Sequence, residues 1–183
     1  MAADPTSPPR KRDAVATRNR ILAAAFECFS EQGYARAGIR EIAERADIAS
    51  SLVIRYFGSK VALFENALIQ AVYTRSLFIG EKAGFGRRMA DLLIGENDTR
   101  LTAMTVLALG DPEAEAAVRR VVAQHMVGAL SDWLGEPEAR ARATSIYALM
   151  TGFTMVLRLS DGRNLPESTV AWLAKSFQDL VDG

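Results

Sequence analysis

Side chains able to carry out covalent or acid–base chemistry are scarce in this sequence. Its 183 residues include one histidine, His125, and one cysteine, Cys28. Protein zinc sites usually use three or four nitrogen, sulfur or oxygen ligands, and general acid–base catalysis needs a positioned histidine, carboxylate or similar group. No such set stands out at a diagnostic spacing. The sequence therefore predicts no metal site, no cofactor and no enzyme activity.

Cationic side chains suited to a polyanion occur in the first third of the chain. Arg40 and Arg55 carry planar guanidinium groups that can bind two acceptor atoms at once, whereas Lys60 is a point charge that suits a phosphate. The whole chain has 22 basic and 22 acidic residues, yet residues 1–60 contain 10 basic and 7 acidic residues. The zero net charge thus conceals a mildly basic N-terminal part, which favours a nucleic-acid partner and salt-sensitive binding.

Helices have to position these side chains, because apolar residues recur at helical spacing along almost the whole chain. No sustained alternation of apolar and polar residues flanks a tight turn, so no strand is predicted. Ser59 and the Asp111-Pro112 pair are typical of residues that begin a helix. We expect an all-α fold of about nine helices, at residues 14–31, 39–46, 50–57, 60–79, 87–94, 98–109, 112–134, 138–159 and 167–181.

Two short helices joined by a tight turn occupy residues 39–57. This spacing is typical of a helix-turn-helix unit, in which the first long helix completes the core and the second short helix enters the DNA major groove. The periodicity directs Val53 and Phe57 inward. The side chains predicted to face outward, or to lie on the flank, are Ser51, Leu52, Ile54, Arg55 and Tyr56.

The stretch GYARAGIREIAERADIASSLVIRYFGSKVALFENAL, from Gly33 to Leu68, resembles the DNA-binding domain of the TetR family of transcriptional repressors. The shared features are a glycine and an aromatic residue after the first helix, an I-A-x-x-A core and a final Y-F-x-S-K-x-x-L-F pattern. The resemblance implies a DNA-binding domain followed by a larger effector-binding and dimerisation domain. The expected ranges are 13–60 for the first domain, with its recognition helix at about 50–57, and 61–183 for the second.

The roles of individual residues are carried over from the same resemblance. Tyr56 and Lys60 match family positions that contact phosphates, and Arg40 would touch the DNA backbone or the edge of a groove. Lys60 also stands at a predicted helix N-terminus, where free N–H groups favour an anion. Arg55 is best suited to read a base, by two hydrogen bonds to a guanine. The predicted DNA-binding residues are Arg40, Ser50, Ser51, Leu52, Ile54, Arg55, Tyr56 and Lys60.

The chain departs from the family pattern in the turn and in the recognition helix. Asp47 replaces a turn glycine, although aspartate adopts a positive φ less readily than glycine. Leu52 and Ile54 stand where polar residues are common, and apolar side chains can touch a thymine methyl without hydrogen-bonding to a base. We therefore expect few polar base contacts, with specificity that depends on Arg55, two serines and DNA shape.

The C-terminal part has helical periodicity without a motif that defines its chemistry. His125 lies on an apolar stripe, where a lone histidine is either a satisfied core residue or a polar group that orients a mostly apolar ligand. The methionines either fill gaps in the core or line a pliable pocket. The candidate pocket residues are Met89, Leu93, Met104, His125, Met126, Trp133, Tyr147, Met150 and Phe153. The candidate dimer-interface residues are Phe153, Leu157, Trp172 and Phe177.

The first 12 residues are rich in proline and end in three basic residues, which predicts a disordered tail. Its basic end is either a solvated terminus or an arm that adds phosphate contacts. No signal peptide is recognised at the N-terminus, and no run of 18 apolar residues occurs. Together with the single cysteine, these features predict a cytoplasmic protein without a membrane partner.

The resemblance implies a homodimeric repressor that binds a palindromic double-stranded DNA operator and is released by a small-molecule effector. Two alternatives stay open. One is a DNA-binding module that acts constitutively, without an effector, and the other is a helical small-molecule enzyme with a vestigial DNA-binding head, in which His125 would act. The sequence names neither the effector nor the operator, and it does not decide between repression and activation.

Overall fold

The computed structural model describes residues 9–74, 80–95, 99–159 and 165–183, and regular structure in these ranges is entirely helical. The prediction of an all-α fold is therefore confirmed. None of the helices in these ranges has the length and hydropathy needed to cross a bilayer. The helices are α1 Pro9–Gln32, α2 Ile39–Arg45, α3 Ser50–Phe57, α4 Lys60–Thr74, α5 Phe85–Ile94, α6 Thr99–Val106, α7 with the three segments Pro112–Val121, Val122–Gly128 and Ala129–Leu134, α8 Ala139–Leu159 and α9 Glu167–Asp182.

The helix bounds agree closely with those predicted where a local end signal is present. α3 has the predicted bounds and α2 ends one residue earlier than predicted. α1 begins at Pro9, so residues 9–12, predicted as the end of a disordered tail, continue the helix instead. The rest of that tail and the last five residues predicted for α4 lie outside the described residues.

α7 is interrupted by a π-helical segment that the sequence analysis did not predict. Asp111 caps the start of the helix as expected, because its carboxylate accepts hydrogen bonds from the backbone N–H groups of Glu113 and Ala114. The hydrogen bonding becomes π-helical over Val122–Gly128 and returns to α-helical at Ala129. Such segments are rare and are found frequently at functional sites.

Buried side chains form two clusters. The first cluster joins α1, α2, α3, α4 and α6 to the first part of α7, and it includes Phe29, Phe64 and Met104. It therefore crosses the predicted domain boundary at residue 60. The second cluster joins α5, α8 and α9 to the remainder of α7. An exposed bidentate ion pair adds to the contact of α4 with α7, since Arg120 donates to Glu65 at 2.9 and 2.8 Å.

The turn between α2 and α3 has an unusual backbone conformation at Asp47. Its φ angle is +52°, in the left-handed region that glycine adopts without steric cost. The turn is closed by backbone hydrogen bonds, from Asp47 N to Glu44 O at 3.1 Å and from Ile48 N to Ala43 O at 3.0 Å. These bonds hold Asp47 in its strained conformation, and that conformation sets the angle between α2 and α3. The left-handed backbone at a residue other than glycine costs some free energy of folding.

Replacing Asp47 with glycine is expected to raise the free energy of unfolding by about 0.5–1 kcal/mol, because relief of left-handed strain exceeds the added entropy of the unfolded chain. Asp47→Val should lower it by about 1–2 kcal/mol, since a β-branched residue fits this region poorly. Urea denaturation measures both changes, and Asp47→Asn controls for the loss of charge. A glycine variant less stable than the parent protein would contradict the expectation.

Candidate nucleic-acid interface

α3 buries one side against the core and presents the other to solvent. Val53 is completely buried, whereas Ser51 and Arg55 are exposed and Ile54 is 45% exposed. Within the described part of the chain, Arg55 has no ion pair or side-chain hydrogen bond, so its guanidinium is available to an external acceptor. The predicted DNA-binding residues of α3 that are only half-buried are Ser50, Leu52 and Tyr56.

The junction between α3 and α4 follows from two adjacent residues. Gly58 has a φ angle of +78°, which ends α3 and turns the chain sharply. Ser59 then caps α4 as predicted, because its Oγ accepts a hydrogen bond from the backbone N–H of Ala62 at 3.1 Å. Lys60 is consequently the first residue of α4, at the positive end of the helix dipole.

Lys60 is half-buried against the loop that follows α1. Its Nζ lies 4.6 Å from the centroid of the Tyr34 ring, and it donates to the carbonyl oxygen of Ala35 at 3.4 Å. Burial lowers the pKa of Lys60, and the carboxylates of Asp111 and Glu113 act in the opposite direction. The ammonium group therefore interacts electrostatically with two acidic side chains at the start of α7, and it also lies at the N-terminus of α4.

Two further cations occupy this part of the molecule. Arg40, a predicted DNA contact, is exposed on α2. Arg18 of α1, which sequence reasoning missed, has its guanidinium carbon 5.3 Å from the centroid of the Phe57 ring and donates to Asn66 Oδ1 at 2.7 Å. It thus reaches the C-terminal end of α3. No local signal could have identified it, because only the packing of α1 on α3 and α4 brings these residues together.

A small cavity lies in the C-terminal half, between α5, α6, α7 and α8. It has room for about one water molecule, well below the size of a typical ligand pocket. The Tyr147 phenol borders it, and burial raises the pKa of this phenol. The Oγ1 atom of Thr151 is buried beside this phenol and makes no hydrogen bond of normal geometry within the described residues. The cavity is lined by Leu92, Leu93, Leu101, Thr102, Met126, Tyr147, Met150 and Thr151.

Two family models match the chain, one in its N-terminal part and one in its C-terminal part. The model described as "Bacterial regulatory proteins, tetR family" matches residues 21–67, which include the helix-turn-helix. The model described as "Tetracyclin repressor-like, C-terminal domain" matches residues 83–181, more than half of the chain. The chain belongs to the TetR family. The resemblance found in the sequence to this family of bacterial regulatory proteins is confirmed.

Curated relatives of this TetR-family chain match it over short stretches. The transcriptional repressor KstR of Mycolicibacterium smegmatis is 47% identical over 51 residues, which are 28% of this chain and 25% of the relative. The transcriptional activator FasR of the same species is 40% identical over 47 residues, 26% of this chain and 22% of the relative. The match thus spans about a quarter of each curated relative, and one repressor and one activator share it.

Solved structures match over nearly the whole length. A transcriptional regulator from Rhodococcus sp. Rha1 has a TM-score of 0.63 and 26% identity, and the match covers 90% of this chain and 94% of that one. Salmonella enterica GusR has a TM-score of 0.69 and 19% identity, with coverage of 98% and 100%. Together they support a helix-turn-helix domain followed by a helical C-terminal domain in this chain.

The predicted pocket residues of this TetR-family chain fall into two groups. Those that line the cavity are Leu93, Met126, Tyr147 and Met150. Met89 and Met104 are buried in the two core clusters, Phe153 packs at the edge of the second, and the Trp133 ring lies 5.1 Å from that of Phe85. His125 lies outside the cavity, where its Nδ1 is 3.0 Å from the Tyr73 hydroxyl. Sequence reasoning did not select the lining residues Leu92, Leu101, Thr102 and Thr151.

One of the predicted dimer-interface residues lies inside the subunit. Phe177 is completely buried, and its ring packs edge-on against that of Phe85 at 6.5 Å. It therefore cannot contact a partner subunit while this core is intact. Trp172, by contrast, is 55% exposed on α9. Phe153 and Leu157 of α8 are half-buried.

Replacing Thr151 with valine is expected to raise the free energy of unfolding by about 1 kcal/mol. The change keeps the side-chain shape and removes a buried hydroxyl oxygen that makes no hydrogen bond of normal geometry among the described residues. Thr154→Val is the control, since Thr154 is a buried threonine of the same helix but its hydroxyl donates to Met150 O at 2.8 Å. Chemical denaturation compares the two. Equal gains from both variants would show that the missing hydrogen bond at Thr151 is not the cause.

Proposed function

We propose that this TetR-family chain is a homodimeric transcriptional repressor that binds a palindromic operator through two copies of α3. The observation that carries the proposal is the exposed side of α3, where Ser51 and Ile54 are exposed together with the uncommitted guanidinium of Arg55, while Val53 anchors the helix in the core. Arg55 would read a guanine in the major groove. Lys60 and Tyr56 would bind phosphates on either side. Such a regulator acts in the cytoplasm, where bacterial DNA lies.

Exposed apolar side chains on α8 and α9 support the proposed dimer. Val156 is 57% exposed, Leu159 is 81% exposed and Trp172 is 55% exposed. Large apolar side chains clustered on the surface of a subunit are typical of a protein–protein interface. An isologous four-helix contact between α8, α9 and their symmetry mates would cover them. Leu157 and Phe153 would lie at its border, and Phe177 would support it from within each subunit.

The small cavity in the C-terminal half supports a site for the effector. Its lining is mostly apolar, with hydroxyl groups on Tyr147, Thr102 and Thr151, which is the usual composition of a small-molecule site. With room for about one water molecule, it has to open to admit an effector. A ligand that binds the opened form would shift α6 and α7 away from their DNA-binding arrangement, and the coupling would be reciprocal.

The small size of the cavity also favours a second candidate function, a constitutive DNA-binding regulator without an effector. A C-terminal core that stays closed binds no ligand and transmits no signal. The two candidates differ in one measurable respect, the release of bound DNA by a small molecule. The enzyme alternative has no observation in its favour, because His125 is bonded to Tyr73 outside the cavity.

Selection of genomic DNA fragments by the purified full chain, followed by fluorescence polarisation on the selected sequence, tests the proposal. We expect a roughly palindromic site bound by a dimer, with affinity that falls steeply with salt. A metabolite library added to the complex should contain compounds that release the DNA. DNA binding without sequence preference by a folded dimer would refute the operator proposal, while specific binding that no compound releases would favour the constitutive candidate.

A further inference from the structure

Tyr34 connects Lys60 to the C-terminal half of the molecule. The face of its ring carries the Lys60 ammonium group, 4.6 Å from the centroid. Its hydroxyl donates a hydrogen bond to Glu113 Oε2 at 2.7 Å. The ring itself is 5% exposed and packs edge-on against Phe64, with the ring centroids 5.2 Å apart. A rigid aromatic ring therefore holds a lysine of the DNA-binding head on one side and a carboxylate of α7 at its end.

Both acidic side chains at the start of α7 are fixed by hydrogen bonds. The Asp111 carboxylate accepts from the backbone N–H groups of Glu113 and Ala114, each at 3.1 Å. The Glu113 carboxylate accepts from the Tyr34 hydroxyl, whose pKa is raised by burial and by this carboxylate, so that the phenol stays a donor. Neither carboxylate can swing away from an approaching anion without losing these bonds. We call Asp111 and Glu113 the α7 carboxylates.

The charges of the α7 carboxylates act on Lys60. Glu113 and Lys60 contact the same ring, which keeps their charges within the screening length of about 10 Å at 0.1 M salt. Burial lowers the pKa of Lys60, while Asp111 and Glu113 favour its charged form and oppose that shift. A DNA phosphate would bind the same ammonium group. It would be attracted by Lys60 and repelled by the two carboxylates at the same time.

We propose that Asp111 and Glu113 are intramolecular competitors of the operator phosphate for Lys60, and that they lower the affinity of the head for all DNA sequences. The proposal rests on the phosphate contact proposed above for Lys60. Under this proposal, the start of α7 affects DNA affinity through Lys60, without a direct contact between α7 and DNA. Any shift of α7 relative to Tyr34 would change the balance between the internal and the external anion.

The test uses substitutions that remove the charge and keep the hydrogen bonds. In Glu113→Gln the amide oxygen can still accept from Tyr34, and in Asp111→Asn the side chain remains a good helix cap. Each variant should bind operator and random DNA more tightly by on the order of threefold at low salt, as one unit charge near a half-exposed partner would produce. The gain should shrink at higher salt because of screening. Polarisation titrations of the full-length dimer measure both.

Glu115→Gln is the matched control, since it removes one negative charge from the same helix turn. Glu115 is engaged by Arg119 and has no contact with Tyr34 or Lys60 among the described residues. A gain from Glu115→Gln as large as that from Glu113→Gln would overturn the proposal, because the effect would then come from net charge alone. Thermal melts of all the variants show whether the fold is intact, and Tyr34→Phe tests whether loss of the Glu113 hydrogen bond alone affects binding.

Combination with Lys60→Ala separates the two proposals. If Lys60→Ala leaves DNA affinity unchanged, the phosphate contact of Lys60 is wrong. If Lys60→Ala weakens binding but Glu113→Gln and Asp111→Asn give no gain in the parent chain, the contact stands and the competition is wrong. The competition predicts a gain in the parent chain that disappears in the Lys60→Ala background. A gain of the same size in both backgrounds would also overturn it.

Discussion

Gly86→Ala is expected to lower the free energy of unfolding by about 3 kcal/mol or more, or to prevent folding of the C-terminal half. A Cβ atom at this position would lie 2.0 Å from the carbonyl oxygen of Ala174 and 2.8 Å from the backbone N of Gln178. Both are backbone atoms of α9, so no side-chain rotation relieves the clash. The helix of Gly86, α5, therefore has to move away from α9. Urea denaturation followed by circular dichroism measures the loss.

The contact at Gly86 also carries hydrogen bonds that a separation would break. The Gly86 N–H donates to Gln178 Oε1 at 3.1 Å, and Gln178 Nε2 donates to Lys82 O at 3.1 Å. Gly38→Ala is the control, because an added Cβ there meets nothing within 4 Å and the φ angle of −101° suits any residue. It should change stability by less than about 0.5 kcal/mol. A Gly86→Ala variant that matches Gly38→Ala in stability would contradict the close contact of α5 with α9.

Arg55→Ala is expected to weaken operator binding by about 10- to 100-fold while leaving binding to random DNA much less affected. The reason is that a guanidinium bonded to a guanine contributes about 1–3 kcal/mol of discrimination, whereas random DNA offers it no fixed partner. Lys60→Ala should instead weaken binding to both DNAs to a similar extent and reduce the salt slope by about one. Polarisation titrations over a range of salt concentrations, with the selected operator and a scrambled duplex, measure these differences.

Arg119→Ala serves as the control for loss of a positive charge. Arg119 is exposed on α7 and pairs with Glu115. Its replacement should leave the affinity ratio of operator to scrambled duplex unchanged. Equal losses on both duplexes from Arg55→Ala would show that Arg55 binds the backbone and not a base, and the specificity would then have to come from DNA shape and the serines of α3.

Local signals predicted the helix-turn-helix almost to the residue. Ser59 and Asp111 are caps because their side chains accept hydrogen bonds from N–H groups two or three positions later. Apolar spacing identified Val53 as the buried anchor of α3, because residues three or four positions apart lie on the same face of a helix. Asp47 was recognised as a departure from glycine, and its φ angle of +52° is the conformation that makes the departure costly.

The C-terminal half was predicted less completely. Periodicity correctly indicated that α9 is amphipathic, but it could not tell whether Phe177 packs against α5 of the same chain or against a second subunit. The π-helical segment in α7 changes the register by less than one turn, which leaves the apolar pattern of a long helix almost unaltered. Helical spacing selected half of the cavity lining and missed Thr151, because the cavity depends on how four helices meet.

The sequence by itself determined the fold class, the family and those helix ends that carry a capping signal, since each depends on residues that are neighbours along the chain. The tertiary structure decided which distant residues share a site. It placed Arg18 on Phe57, buried Phe177, nearly closed the C-terminal cavity and joined Lys60 to Glu113 through Tyr34. The physical reason is that caps and periodicity act over a few residues, whereas such contacts follow from the volumes and crossing angles of packed helices.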